Sequence, residues 1–401
     1  MERQNRLVRQ LTWREAIARR LARHFLAKPA GRARIAEVVG GVCGIHAQVM
    51  PSAEVSIGIR LRGATVTDVA DALWNRRVLV KTYGPRGTVH ILPANELALW
   101  TAALNAAARD DSRRHELLGL KRGDIRAIVE AIGDALDGEQ LTREELGAEV
   151  ARRVGRWAVE RRFPAFGGEW SVWQSGIGAA ASAGLLCFGP NEGSRVTFVR
   201  PERWIGPQKR IDPSAALKEV ARRYLFAYGP ATHREFAQWL GADPTLALQT
   251  LGSLGDSIEE VDIEGTRAWQ IASDRTPRAM NESVQLLPRF DCYVVGSHPR
   301  DVLIPPRIVD RAARTQLFPR RPGSVRPSLV GPTPLLVIDG ITSGIWESRR
   351  TGPALTFRVQ AFVRLSTRQR EAVASAAERV AEIVGAQTRL SFGRVTTRPH
   401  L

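Results

Sequence analysis

The run of residues 44–51 is apolar apart from His46 and Gln48, two side chains whose types suit hydrolytic chemistry. An imidazole can accept a proton near neutral pH, and a carboxamide oxygen can orient a water molecule by accepting its hydrogen bond. Helical residues two apart point roughly 200° away from each other, so the pair can share a site only where the backbone is not helical. The alternative interpretation is a capped helix end that contains a histidine with satisfied hydrogen bonds.

The segment before this motif has the spacing of a helix with one buried face. Its recurring apolar residues are Ile35, Val38, Val39 and Val42. Pro51 cannot continue a helix and disfavours the helical conformation of the residue before it, so we expect the helix to end near Pro51. Cys43 lies three residues before His46, as a thiol nucleophile could, but its place in the apolar stripe favours a buried structural cysteine.

Positive charge is the strongest feature of the composition. The 401 residues include 58 Lys and Arg against 41 Asp and Glu, a net charge of +17, and residues 1–34 hold ten of the basic residues and two Glu. A helix that begins with a capping box at residues 12–15 places Arg19, Arg20 and Arg23 on its polar face. Such a patch indicates a polyanion such as nucleic acid. A GC-rich genome would explain Arg in place of Lys, but not the surplus of positive charge.

The sequence predicts a cytoplasmic protein that needs no metal or cofactor. Cys43, Cys187 and Cys292 are far apart, and no second cysteine or histidine stands at the spacing of metal ligands. No apolar run reaches the ~18–20 residues that cross a bilayer. The chain has neither a phosphate-binding P-loop nor a dinucleotide fingerprint. We therefore expect no membrane or nucleotide partner.

The first third of the chain has the pattern of a winged helix. Helices are followed by a strand at residues 78–83, a turn at 84–87 and a return strand at 88–91, which together form a basic-tipped hairpin. Helices with such a wing are typical of DNA-binding domains. We interpret Arg86 at the tip as a phosphate contact, and His90 as either a phosphate contact or a packed side chain.

The same order of helices and hairpin recurs twice more. The sequence predicts capped helices that begin near Thr142 and Thr232, a helix at residues 170–186, and strand pairs around residues 190–193 and 264–265. We therefore predict an α+β chain with three tandem winged helix-turn-helix units, at residues 1–110, 111–205 and 206–275.

After Ala272 the pattern changes to short strands separated by Pro and Gly. The predicted strands are at residues 284–287, 292–295, 335–338, 344–347, 355–365 and 389–392. With a long amphipathic helix at residues 367–384 they predict a β-barrel-like domain over residues 276–401. A basic loop at residues 318–327 carries Arg320, Arg321 and Arg326. It is either a hairpin that enters a DNA groove or a solvated loop.

A second polar cluster lies in this last domain. Asp291, His298 and Arg300 fall within eleven residues, together with Ser297 and Asp301. Asp291 and His298 could support an active site, and Arg300 could contact DNA. The alternative is a hydrogen-bonded turn between strands.

The order of five segments resembles the winged-helix DNA glycosylases of the AlkZ/YcaQ-like superfamily. These segments are residues 44–51, 83–90, 228–232, 291–300 and 337–346. The resemblance implies three winged-helix units and a C-terminal β-barrel around a C-shaped, basic DNA-binding surface. The family motif is Gln, an apolar residue, then Gln or Asp, so it maps onto His46 and Gln48. Gln48 matches the AlkZ-like branch, whereas His46 departs from the usual Gln.

The resemblance also implies an activity. The expected reaction is hydrolysis of the N-glycosidic bond of N7-alkylated guanine, with bulky natural-product adducts as substrates, in DNA repair or antibiotic self-resistance. The motif contains no lysine, so we expect a monofunctional base-excision enzyme. Its partner would be double-stranded DNA with alkylated bases, bound by a monomer that associates with the nucleoid.

The runner-up is a non-catalytic winged-helix DNA-binding protein or regulator. A regulator reads bases with long polar side chains on a recognition helix. The segment 170–186 offers mainly Gly, Ala and Ser, which argues against direct readout.

Overall fold

The computed structural model describes residues 8–108, 112–165, 168–274, 282–315 and 329–396. The fold is α+β and has two compact units, each built from separate stretches of the chain. The first unit takes Met1–Ala70, Ala221–Phe236 and Leu251–Leu401, and the second takes Asp71–Val220 and Ala237–Thr250. The four sequence-based domain boundaries stay a prediction.

Helices and short strands are spread along the whole described chain. The α-helices are Trp13–Arg23, Ile35–Gly41, Met50–Gly58, Val66–Ala70, Leu97–Ala106, Ser112–Leu117, Arg122–Ala135, Arg143–Val154, Trp157–Glu160, Ile177–Ser182, Pro201–Trp204, Pro213–Tyr228, His233–Leu240, Pro244–Gly252, Cys292–Gly296, Arg300–Leu303, Pro306–Ala313 and Thr367–Ile383. The strands are Arg9–Leu11, Ala30–Gly31, Ile45–His46, Leu61–Arg62, Leu79–Tyr83, Val89–Pro93, Leu141–Thr142, Arg162–Ala165, Gly168–Ser171, Cys187–Phe188, Thr197–Val199, Ile258–Ile263, Thr266–Ile271, Val284–Leu287, Leu335–Ile338, Ile341–Thr351, Ala354–Ala361 and Gln387–Phe392. None of the helices among the described residues is long and apolar enough to cross a membrane.

The first helix, Trp13–Arg23, begins at the predicted capping box, in which the Thr12 hydroxyl accepts from the backbone N–H of Glu15. Its basic face is not exposed, so the prediction of an arginine patch on this helix is wrong. Arg19 donates to Asp274 at 3.1 Å and Arg23 pairs with the same carboxylate. Burial, with Arg19 and Arg20 nearby, lowers the pKa of Arg23 to about 9. These arginines hold the fold together and cannot form a polyanion site.

A curled five-stranded sheet carries the core of the first unit. Its strands follow one another from Val284–Leu287 to Gln387–Phe392, antiparallel except for the last pair. A register shift between Leu336 and Val337 bends the sheet, as β-bulges do. The helix Thr367–Ile383 buries Val373, Ala377 and Val380 against it. The predicted C-terminal β-domain is therefore confirmed as a curled sheet with one long helix.

One predicted strand of this domain is wrong. Cys292–Gly296 is a short helix, because the Asp291 side chain accepts a hydrogen bond from the backbone N–H of Tyr293 and so caps a helical turn. An apolar run of this length is compatible with a strand or a buried helix, and the cap decides between them.

Two hairpins of the second unit follow the prediction. Leu79–Tyr83 pairs antiparallel with Val89–Pro93, and Cys187–Phe188 with Thr197–Val199. The helix predicted at residues 170–186 is shorter and divided: Gly168–Ser171 is a strand, Val172–Gly176 is a 3-10 helix, and Ile177–Ser182 is an α-helix. The reason is that Trp170 pairs across a hairpin with Phe163, which keeps its backbone extended.

Candidate active site

The motif lies on a segment between two helices of the first unit. The helix Ile35–Gly41 ends before the motif, and the next helix, Met50–Gly58, has Pro51 in its first turn. The prediction that the helix runs to Pro51 is therefore wrong, because proline is well suited to the start of a helix. Between the helices the chain turns through Cys43 and Gly44, whose φ angles are +60° and +91°. The left-handed region is unfavourable for Cys43, so the surroundings must hold this turn.

The backbone at the motif is not helical, as a shared site requires. His46 ends the short strand Ile45–His46, and Gln48 follows in a bend. His46 is 8% exposed, Gln48 is exposed, and Ile45 and Ala47 are buried. The segment therefore fixes an imidazole at the edge of the core and presents a carboxamide to solvent. Their catalytic roles stay a prediction.

A tyrosine holds the turn that leads into the motif. The hydroxyl of Tyr228, a residue that is 2% exposed, donates to the backbone carbonyl of Val42 at 2.9 Å. Its ring stacks on Tyr224 at 5.4 Å and meets the edge of His24 at 4.9 Å. The phenol is therefore fixed on several sides, and its hydrogen bond restrains the residue before Cys43. This makes Tyr228 a positioning residue for the motif.

A buried ion pair anchors the helix that follows the motif. The Arg60 guanidinium donates to both carboxylate oxygens of Asp291 at 2.8 Å, and the Ser56 hydroxyl donates to the same group at 2.6 Å. Burial alone would raise the pKa of Asp291, but the Arg60 charge and the hydrogen bonds lower it below its ordinary value. Asp291 is therefore a charged structural anchor for Met50–Gly58. Its predicted support of the site would act through this helix.

The C-terminal end of the same helix is held by Arg379. Its Nη2 donates to the backbone carbonyls of Gly58, Leu61 and Ala64 at 3.0, 2.8 and 2.7 Å. Helix ends leave carbonyls without partners, and a guanidinium satisfies them while its charge complements the helix dipole. Tyr228 thus restrains the turn before His46 and Gln48, and Arg379 restrains the end of the helix after them.

The other predicted residues of the C-terminal domain lie in a compact turn. His298 is 6% exposed. The Arg300 guanidinium donates to the carbonyl of Ser297 at 2.9 Å and also to those of Val294 and Val295. These hydrogen bonds agree with the alternative interpretation of residues 291–301, which was a hydrogen-bonded turn. The proposed DNA contact of Arg300 and the support by His298 stay predictions. Arg320, Arg321 and Arg326 lie outside the described residues.

In the second unit, Arg86 lies in the hairpin turn, residues 84–88, and His90 lies on the strand after it. The two side chains have different partners. Arg86 has a φ of +60° and donates to the carbonyl of Trp239. His90 is 2% exposed, and its Nδ1–H donates to the Thr88 carbonyl at 2.8 Å. Burial is the main cause that lowers the pKa of His90 to about 3, so the ring is neutral at pH 7. A neutral buried ring favours the packing interpretation of His90, and the phosphate contact of Arg86 stays a prediction.

Sequence reasoning did not find Ser56, Arg60, Tyr228 or Arg379. Arg60 carried a signal, since a charge within the mainly apolar residues 55–61 indicates a buried ion pair. Its partner Asp291 is 231 positions away, so no local pattern joins them. Tyr228 lies in one of the segments that resemble the glycosylases, but nothing local indicates its bond to Val42.

Known proteins of one kind match the chain over most of its length. A relative from Streptomyces sahachiroi, an interstrand DNA cross-link repair glycosylase, is 30% identical over 350 residues, which cover 84% of this chain and 88% of that protein. The solved structure of the Streptomyces sahachiroi DNA glycosylase AlkZ has a TM-score of 0.79 at 27% identity, and the match covers 96% of this chain and all of that one. The model of the family described as "DNA glycosylase AlkZ-like" matches residues 39–383. The chain therefore belongs to the AlkZ-like family of DNA glycosylases.

Proposed function

We propose that the protein is a monofunctional DNA glycosylase that hydrolyses the N-glycosidic bond of N7-alkylated guanine, with bulky adducts as its main substrates. The observation that carries this proposal is the non-helical segment at the motif. It places the Gln48 carboxamide at the surface beside a largely buried imidazole, His46. The family match shows the enzyme class, a DNA glycosylase. We assign the hydrolysis to this segment.

The proposed chemistry needs little acid catalysis. Guanine alkylated at N7 already carries a positive charge, so it is a good leaving group. The enzyme must place a water molecule below C1′ and stabilise the positive charge that develops on the sugar. The Gln48 carboxamide oxygen accepts a hydrogen bond from this water and directs its dipole at the sugar. His46 is the second water ligand or the general base.

The proposed reaction ends with an abasic site and an intact strand. A lyase step needs an amine that forms a Schiff base with the sugar, and residues 44–51 contain no lysine. Borohydride treatment of the reaction should therefore trap no protein–DNA adduct. A trapped adduct would show bifunctional chemistry.

The proposed substrate contact is electrostatic and extends over the duplex. The net charge of +17 fits a polyanion, with Arg86 at one hairpin and the basic loop at residues 318–327 as candidate backbone contacts. Three tandem winged-helix units and a C-terminal half-barrel would form this surface. Bulky adducts disfavour extrusion of the base into a tight pocket, so binding around the duplex suits them better.

The relative's activity supports a wider substrate range. Because the Streptomyces sahachiroi relative is an interstrand DNA cross-link repair glycosylase, we include cross-links at alkylated bases among the proposed substrates. Self-resistance to a DNA-alkylating natural product is the biological role we propose.

The direct test incubates the protein with a duplex that carries one N7-methylguanine and, in parallel, with the unmodified duplex. We expect free N7-methylguanine by mass spectrometry and an equal amount of alkali-sensitive abasic sites, from the modified duplex only. Sequence-specific binding without base release would instead support the regulator.

A further inference from the structure

The first unit contains a cavity of about 570 Å³ next to the motif. The helix Met50–Gly58 forms one wall, and the strand Ile341–Thr351 of the curled sheet forms another. Val49 and Pro51 line the end of the cavity that adjoins Gln48. A volume of this order is usual for sites that bind small organic groups, ~300–1,000 Å³.

The walls of the cavity are mostly apolar. Val55, Val66 and Val384 line it together with Trp346. The Trp346 Nε1–H donates to the Leu287 carbonyl at 3.0 Å, so the indole offers its ring rather than a donor. Valine side chains and an indole ring suit an aromatic or aliphatic ring system.

The charged residues of the lining balance each other. The lining includes two glutamates, Glu54 and Glu347, and two arginines, Arg289 and Arg350. Glu347 accepts from the Thr396 backbone N–H at 3.2 Å, and Arg350 donates to the Val384 carbonyl at 3.2 Å. Because the acidic and basic groups are equal in number and two of them already bond to the backbone, the cavity does not suit a phosphate.

One lining group points to a ligand. Thr333 is 4% exposed, and among the described residues no partner bonds to its buried Oγ1. A buried hydroxyl without a partner is unfavourable by about 1–3 kcal/mol, so a ligand with one polar atom would satisfy it. The cavity is therefore matched to a neutral ring system with a single hydroxyl or carbonyl group. An excised guanine is a poorer match, since it has polar atoms on several edges.

We infer that this cavity receives the neutral, apolar ring system that a bulky adduct carries beyond the guanine. This inference rests on the proposed function and names the part of the substrate that the protein recognises. We expect a methyl adduct to end near Gln48, whereas a fused aromatic substituent on N7 extends further and can enter the cavity. The motif and the cavity then recognise two parts of one lesion.

The test compares two duplexes, one with N7-methylguanine and one with guanine that carries a naphthylmethyl group on N7. The quantity measured is the ratio of their single-turnover base-release rates. Val66→Phe narrows the cavity, and we expect it to reduce the ratio of naphthylmethyl to methyl release at least tenfold, within the ~10–200-fold range of apolar pocket changes. Val363→Phe is the matched control, since Val363 is half-buried in the same unit and does not line the cavity.

The outcomes of this experiment test the role of the cavity and the proposed function separately. A reduced ratio in Val66→Phe but not in Val363→Phe supports the inference, and an unchanged ratio in a folded Val66→Phe overturns it. Val384→Phe narrows the same cavity and replaces Val66→Phe if that variant has no cooperative melting transition. Methyl release by the wild type keeps the proposed function whatever the ratio shows. Release from neither duplex overturns the proposed function and this inference with it.

Discussion

Two turns of the molecule share a left-handed, non-glycine residue but place their polar side chains differently. The motif turn, residues 42–44, and the hairpin turn, residues 84–88, each contain a non-glycine residue at a φ of +60°, namely Cys43 and Arg86. In the motif turn the strained residue is a buried cysteine, and the polar side chains follow it on a short strand and the bend after it. In the hairpin turn the strained residue is itself the cation, and it donates to the protein backbone. A polar residue at a turn is thus not a site by itself; its partners decide what it can do.

This difference predicts which turn affects the reaction and which affects binding. The motif turn should control the rate of base release and leave affinity for DNA nearly unchanged. The hairpin turn should change affinity and its salt dependence with little effect on the rate. The substitutions below test this division, from the largest expected effect to the smallest.

The double substitution of His46 and Gln48 by Ala should have the largest effect. We expect base release from N7-methylguanine to fall to about the uncatalysed rate, because neither a water ligand nor a base remains. If both groups act on one water molecule, as we propose, the loss should be smaller than the product of the two single losses, each about 10²–10⁴-fold. Single-turnover rates of all four proteins measure this. Strictly multiplicative losses would contradict a shared water.

Asp291→Asn should reduce stability more than any substitution at either turn. It leaves Arg60 as an uncompensated buried charge, which destabilises a fold by about 3–5 kcal/mol. Urea unfolding of the wild type and the variant gives the difference in the free energy of unfolding. A difference below about 1 kcal/mol would show that the pair does not anchor the helix.

The same pair predicts a pH dependence of stability. The pKa of Asp291 is lower in the folded protein than its ordinary value of 3.8. Its contribution is therefore fully present above the unfolded pKa and is lost as the pH falls through the folded pKa. The wild type should lose stability below about pH 4. Asp291→Asn should lose less over this range, and equal losses would contradict this assignment.

Tyr228→Phe should have an intermediate effect, chiefly on the rate. It removes the hydrogen bond to Val42 at a stability loss of about 1 kcal/mol and frees the motif turn, so we expect about tenfold slower release. DNA affinity should stay within about twofold. Tyr224→Phe is the matched control. Tyr224 stacks on Tyr228, but the hydroxyl that donates to Val42 belongs to Tyr228. An equal rate loss in both variants would indicate general loosening of the core.

Arg86→Ala should have the smallest effect. If Arg86 contacts a phosphate as predicted, affinity for duplex DNA falls a few-fold and the slope of log K against log salt decreases by about 0.9. The rate of release from saturated complexes should not change. Fluorescence anisotropy at several salt concentrations measures this, and an unchanged slope would restrict Arg86 to its bond with Trp239.

The parts of the fold that local patterns encode could be read from the sequence. The capping boxes at Thr12 and Thr142, the hairpin Leu79–Tyr83 with Val89–Pro93, and the helix Thr367–Ile383 are confirmed. Each depends on hydrogen bonds or apolar spacing within a few residues. Side-chain directions set only the condition for a shared site, a backbone that is not helical between His46 and Gln48, and the structure meets this condition.

The parts that depend on distant partners could not be read in this way. Arg19 and Arg23 resemble a surface patch until Asp274 is brought beside them. The helix before the motif ends early because Cys43 takes a left-handed conformation, which no local residue preference indicates. The cavity arises only when the first helix after the motif lies against a sheet formed more than 200 residues later.

The most direct test of the account is the rate of N7-methylguanine release by Gln48→Ala at a protein concentration that saturates the duplex. Gln387→Ala, which removes an exposed carboxamide from the C-terminal strand, serves as the control. We predict a rate at least about 10²-fold below the wild type for Gln48→Ala, unchanged DNA affinity, and no loss for the control. Release by Gln48→Ala within about twofold of the wild type, or a parallel loss of rate and affinity, would contradict the central claim that this carboxamide acts on the glycosidic bond.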